Sequence, residues 1–155
     1  MKYRKVQLNS QDKNLKHLLV QIAKWHNDTP KIWIPDYEPT DEELEQTMGS
    51  IRSTKDEDLF LTIVEDEKGQ AQGFIWAYRM EETSDCVMIK SLYVTEEFRG
   101  HGIATKLKGL LEEWCRDIGV KTIKTTTHYN NKNMLALNIK LGYVPGMVHM
   151  CKNLV

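Results

Sequence analysis

An arginine, two glycines and a histidine stand together at Arg99-Gly100-His101-Gly102, between an apolar run and an amphipathic one. The run Val87 to Val94 reads as a strand. After the loop, Ile103, Leu107, Leu110, Leu111, Trp114, Cys115 and Ile118 fall on one face at helical spacing. The loop therefore joins a strand to a helix N-terminus. There the first-turn N–H groups have no intrahelical partner and the helix dipole is positive. Glycine lets a ligand approach the backbone closely, and Arg99 adds a fixed positive charge. The chemistry this suits is anion binding, of a phosphate or pyrophosphate group. The glycines alone would also suit a tight strand-to-helix turn. Two familiar phosphate loops do not fit. A Walker loop needs Gly-Lys-Ser/Thr, and a dinucleotide fingerprint needs a third glycine where Ala104 or Thr105 stands. It also needs an acidic residue after the next strand, which here ends Thr125-Thr126-Thr127-His128.

The elements around that loop follow from pattern. Val120 to Thr127 is a β-branched strand. Asn130 or Asn131 caps a helix carrying Met134, Leu135, Leu137, Asn138 and Leu141, and Gly142 ends it. Upstream, residues 3–8 read as a first strand, and Leu15, Leu18, Leu19, Ile22 and Trp25 form a helical stripe. A loop, His26 to Pro39, leads to the capping box Thr40-Asp-Glu-Glu43 and a second helix. Leu59–Glu65 and Gly73–Arg79 read as strands joined by a turn at Asp66 to Gly69, and a third follows at about 86–94. A short strand pair ending at Leu154 closes the chain. The order β-α-α-β-β-β-α-β-α-β-β predicts an α+β fold with mostly antiparallel strands and one late β-α-β unit.

Composition is that of one domain spanning 1–155. The chain has 155 residues, 41% apolar and 28% charged, enough for a substantial core. Basic and acidic residues number 21 and 22, and no basic stripe or interleaved aromatic run marks a nucleic-acid surface. No apolar run is long enough to span a bilayer, and the start, Met1-Lys-Tyr-Arg-Lys-Val, lacks the core of a signal peptide. The three cysteines, Cys86, Cys115 and Cys151, have no paired spacing, which argues against zinc and for a reducing compartment, the cytoplasm.

The signature Arg-x-x-Gly-x-Ala, Arg99 to Ala104, resembles the coenzyme-A loop of the GNAT superfamily of N-acetyltransferases. Downstream, Asn131-x-x-Met134-x-x-x-Asn138-x-x-Leu141-Gly142-Tyr143 is similar to that superfamily's second motif. The resemblance is close over about residues 86–152; the N-terminal half agrees in element order. It implies a twisted, mostly antiparallel sheet of about six or seven strands flanked by about four helices. It implies acetyl-CoA as co-substrate and no metal. Pantetheine would lie against Leu92, Tyr93 and Val94, where two strands splay. The pyrophosphate would lie over Arg99, Gly100, His101, Gly102, Ile103, Ala104 and Thr105, with Asn131 and Asn138 as further cofactor contacts. A backbone N–H near Val94 would stabilise the oxyanion.

Acid and base groups depart from the common pattern of that superfamily. The strand before the loop carries Ser91 where many relatives have an acidic residue, and Asn138 stands where many have a tyrosine. Asn138 can donate to the thiol or to pantetheine, or can tie the helix to the sheet. His128, at the end of the strand that opens toward the gap, is the titratable candidate for a base. The acceptor would be gathered by Trp25, His26, Trp33 and Tyr37, whose aromatic faces suit an alkylammonium. Trp25 also falls on the apolar stripe, and Trp33 also suits a loop anchor or a dimer contact. The favoured reading is acetyl transfer to a primary amine, small or peptidic, by direct attack in a ternary complex, with a homodimer as the assembly. The second is a catalytically silent acyl-CoA-binding sensor or partner module.

Overall fold

The computed structural model describes residues 1–155. Five strands, β1 (Lys2–Lys5), β2 (Leu59–Glu65), β3 (Ala71–Arg79), β4 (Cys86–Val94) and β5 (Thr122–Thr125), form one sheet in sequential order. The pairings are antiparallel except β4 with β5, which is parallel and encloses α3 (Ile103–Asp117). The other helices are α1 (Leu15–Asn27), α2 (Asp41–Ser53) and α4 (Lys132–Lys140). The α+β class and the four helices are as expected.

Two apolar cores lie on opposite faces of the sheet. On one, Leu19, Ile22 and Ala23 of α1 and Met48 and Ile51 of α2 pack on Leu61, Ile63, Phe74 and Trp76. On the other, Ile103, Leu107, Leu111 and Cys115 of α3 pack on Val64, Ile75, Ala77, Val87, Ile89 and Val94. All three helices thus bury the apolar stripe that their 3.6-residue period creates. α2 starts where the Thr40 hydroxyl accepts the Glu43 N–H at 3.1 Å, with Asp41, Glu42 and Glu43 in the positive first turn. The reciprocal half of the box does not form: the Glu43 carboxylate accepts the Tyr37 hydroxyl at 2.6 Å instead.

Three expectations are corrected. The sheet has five strands, not six or seven. The first strand ends at Lys5 and the late one covers only Thr122–Thr125, so Thr126 to His128 leave the sheet. The closing strand pair is absent: no strand follows Tyr143, and residues 144–155 are exposed throughout. The apolar content of that segment favours strand, yet a strand needs a neighbouring edge to pair with, and strand propensity cannot supply one.

Candidate active site

The site begins where β4 loses its second neighbour. The parallel register runs Cys86↔Thr122, Val87↔Ile123, Met88↔Lys124, Ile89↔Thr125 and stops. From Lys90 to Val94 only β3 pairs with β4. The β3 register also shifts there, from Ala77↔Ile89 to Trp76↔Ser91, so Lys90 is the extra residue of a bulge. The bulge moves Ile89 and Leu92 to the α3 face and sets Tyr93 against the α1 core. Thr95 N–H donates to Gln72 on β3 at 2.9 Å, so strand alternation turns the Leu92 and Val94 peptide groups to the vacant side. Arg99 Nε takes the Val94 carbonyl at 2.8 Å and lays its guanidinium 5.5 Å from the Tyr93 ring. Arg99 therefore fastens the loop to the strand end, and the residue as a whole is exposed.

The loop itself holds Gly100 at φ 79° and Gly102 at φ 78°, the left-handed region that favours glycine. A Cβ at either would meet nothing within 4 Å, so backbone conformation and not space requires glycine. Gly102 caps α3 with no side-chain acceptor, and no acidic residue stands in the first turn. The N–H groups of Ile103, Ala104 and Thr105 thus face outward under a positive dipole, the arrangement an anion would satisfy. The His101 ring lies against the Phe98 carbonyl, Nδ1 to oxygen 3.2 Å.

The far wall is built by the end of β5 and by α4. Asn131 caps α4, accepting the Met134 N–H at 3.3 Å; its side-chain oxygen is thereby used. Asn138 is buried, its amide donating to the Thr127 hydroxyl at 3.1 Å. Its Oδ1 is buried with no partner, an acceptor left open. The backbone fixes this side chain from below: Tyr143 N–H returns to the Asn138 carbonyl at 2.9 Å and Gly142 N–H to Ile139 at 3.0 Å, a Schellman close. His128 is exposed, and its Nδ1 accepts the Asn130 N–H at 3.0 Å. A neutral ring held so carries its proton on Nε2.

The loop after α1 crosses to this wall. Trp33 stacks on His128 with ring centroids 3.9 Å apart and planes 7° from parallel. Trp25 lies beneath β4, stacked on Tyr93 at 5.1 Å and beside Phe74 at 6.0 Å. His26 meets Trp76 edge to face at 5.5 Å. Burial, assisted by the nearby Lys90 charge, pushes His26 down to about 4, so it is neutral near pH 7. The Tyr37 hydroxyl is held by Glu43, which raises its pKa. Of the four acceptor candidates, Trp33 packs on His128, His26 and Trp25 pack on β3 and β4, and Tyr37 ties the loop to α2.

Sequence reasoning missed three features. The Lys90 bulge leaves no mark in an apolar alternation. Trp76, on β3 opposite Ser91, carries a buried indole N–H without a partner. Lys108 is 2% exposed in α3 with no carboxylate within salt-bridge range, its ammonium 4.4 Å from the Tyr143 ring. Burial lowers Lys108 to about 8, partly offset by Glu112, and raises Tyr143 to about 12. No group of three or more His, Cys, Asp and Glu side chains is placed to hold a metal ion. No helix is long and apolar enough to cross a membrane.

Known proteins share this fold. The model of the Acetyltransferase (GNAT) family matches residues 19–143. The chain is 35% identical over 86 residues to the L-2,4-diaminobutyric acid acetyltransferase of Vibrio parahaemolyticus serotype O3:K6, 55% of this chain and 47% of that protein. It thus spans about half the length of that curated relative. A crystal structure from Staphylococcus aureus subsp. aureus, assigned to GNAT-family acetyltransferases, superposes with a TM-score of 0.65 at 31% identity, covering 80% of this chain and 98% of that one. The aminoglycoside N-acetyltransferase AAC(6')-Iy in complex with CoA shares the fold, with a TM-score of 0.66 at 20% identity, covering 99% of this chain and 95% of that one. The chain belongs to the acetyltransferase (GNAT) family, whose members use acetyl-CoA as co-substrate.

Proposed function

We propose that the protein transfers an acetyl group from acetyl-CoA to a primary amine by direct attack, with both substrates bound together. The observation that carries this reading is the free edge of β4 from Lys90 to Val94, ending beside the uncapped N-terminus of α3. One element offers peptide groups to pantetheine and the other offers N–H groups to pyrophosphate. The Val94 N–H, turned to the vacant side, is the donor for the oxyanion that develops on the thioester carbonyl. The amine nitrogen attacks that carbon, the C–S bond breaks, and the sulfur leaves as thiolate. Asn138 receives it: its open polar atom accepts from the thiol, or with the amide reversed donates to the thiolate. An alkylammonium with pKa ~10 must lose a proton first. The basic nitrogen of His128 is engaged by the Asn130 N–H, so solvent water takes that proton and His128 serves Trp33 as a stacking partner.

Trp33, His128, Trp76 and neutral His26 bound the acceptor side. The relative that acts on a diamino acid favours a small amine there over a peptide. We assign the activity to the cytoplasm and the assembly to a homodimer. The test is thiol release from acetyl-CoA across an amine panel headed by diamino acids, with initial rates over both substrates. Intersecting double-reciprocal lines support the ternary complex. Parallel lines, with turnover lost in a cysteine-free variant that folds, would indicate an acyl-cysteine route. Tight acetyl-CoA binding with no amine-dependent release would favour a silent binding module, the reading that the missing carboxylate on β4 supports.

A further inference from the structure

Lys108 is the one buried lysine of the chain, set in α3 beside Leu107 and Leu111 of the core. Lysine is rarely buried without an anionic partner, and a charge placed so opposes folding. Glu112, one turn on, pairs with Arg116 instead at 3.2 Å. The Lys108 ammonium meets the face of the Tyr143 ring, 4.4 Å from its centroid. The Tyr143 hydroxyl is buried with no hydrogen-bond partner, so the ring and not the phenol is what Lys108 uses.

Tyr143 reaches the site through its backbone. α4 is nine residues long and Asn138 is its only buried residue, so little packing along its length holds it. Its ends hold it instead. Asn131 caps the start, and the Tyr143 N–H closes the other end on the Asn138 carbonyl at 2.9 Å. Asn138 also donates its amide to Thr127 at 3.1 Å and keeps Oδ1 open. A Tyr143 ring free to turn would loosen that close, and the Asn138 side chain would shift with its own carbonyl. A cation holds an aromatic ring by its face. A thioether of similar volume fills the space but gathers at the ring edge, and fixes no such orientation.

We infer that Lys108 is a positioning residue for acetyl transfer: from α3 it holds the Tyr143 ring, and through the Tyr143 backbone it holds the Asn138 side chain that receives the sulfur. This deepens the proposed reaction and rests on the role given there to Asn138. It also accounts for a buried charge that weakens the fold, since stability is commonly given up where an active site needs a particular arrangement.

Initial rates with acetyl-CoA and the fastest amine of the panel test it, with the folding of each variant followed by urea unfolding. Lys108→Met should lower kcat about 3–30-fold, the worth of one desolvated cation–π contact. The acceptor KM and the calorimetric affinity for acetyl-CoA should stay unchanged. Tyr143→Phe, which keeps the ring, should retain wild-type kcat, and Tyr143→Leu should lose as much as Lys108→Met. In an Asn138→Ala background, Lys108→Met should have no further effect, because the group it positions is gone. A role in packing alone predicts losses that multiply in the double variant, and that result overturns the inference. Full kcat in Lys108→Met beside a slowed Asn138→Ala enzyme also overturns it, and leaves the role of Asn138 in place. Full kcat in Asn138→Ala overturns both.

Discussion

Replacing Lys108 by methionine should stabilise the protein. The ammonium is 2% exposed and meets no carboxylate within salt-bridge distance, so burial dominates its energetics and lowers its pKa from 10.5 to about 8. A gap of about 2.5 units at ~1.36 kcal/mol each is about 3 kcal/mol of penalty on the charged form. At pH 7 lysine is protonated in both folded and unfolded chains, so the whole penalty opposes folding. The Tyr143 ring, 4.4 Å below, returns about 1–2 kcal/mol as a desolvated cation–π contact. Lys108→Met fills a similar volume and should therefore gain about 1–2 kcal/mol, or ~2–8 °C in Tm for a domain of this size. The pH dependence has a definite sign. Between about 8 and 10.5 the unfolded chain holds the proton and the folded chain does not, so wild-type stability rises with pH across that window. The advantage of the variant should fall over the same range. Urea unfolding of both proteins at pH 7 and pH 10 measures it. A variant less stable at pH 7, or a difference independent of pH, would refute the reasoning and show Lys108 to be stabilised by its surroundings.

Further outcomes follow from the site. Asn138→Ala should lower kcat by roughly 5–150-fold, the loss of one hydrogen bond of about 1–3 kcal/mol, without altering the pH profile. Full activity in that variant would remove Asn138 from the chemistry and leave it tying α4 to Thr127. Trp33→Ala removes a ring stacked 3.9 Å from His128 and should raise the acceptor KM by about 2–10-fold, the worth of an aromatic pair at ~0.5–1.5 kcal/mol, with acetyl-CoA affinity unchanged on calorimetry. His26 is held down to about 4, so the unfolded chain takes up a proton below about 6.5 while the folded chain does not. Stability should thus fall by up to about 3 kcal/mol from pH ~6.5 to ~4, and His26→Gln should flatten that slope in urea titrations.

The legible parts of this protein are those carried by local pattern. β2 and β4 appear at the expected bounds because continuous apolar runs between turn signals suit a two-sided core. The α3 stripe and the uncapped glycine turn before it were readable because each needs only its own few residues. The bulge at Lys90 was not readable: one extra residue shifts register against a partner strand, and apolar content on both sides of the shift looks alike. The Trp33–His128 stack joins residues 95 positions apart, which no period reveals. Lys108 breaks the usual rule that charge marks the solvent face, so its burial between Leu107 and Leu111 was invisible. The last strands failed for a different reason. Propensity is present at Met147 to Leu154, but the segment pairs with no neighbouring strand, and propensity alone does not make one.

The central claim is that acetyl-CoA lies along the free edge of β4 and over the N-terminus of α3. Amide chemical shifts of the labelled protein, followed as acetyl-CoA is added, test it most directly. The largest changes should fall on the N–H groups of Leu92 and Val94 and on Gly100 to Thr105, with a second set at Asn138 and Thr127. Changes centred instead on the opposite end of the sheet, at the hollow lined by Lys5, Gln7, Asn9 and Asp56, with β4 and α3 unmoved, would contradict it.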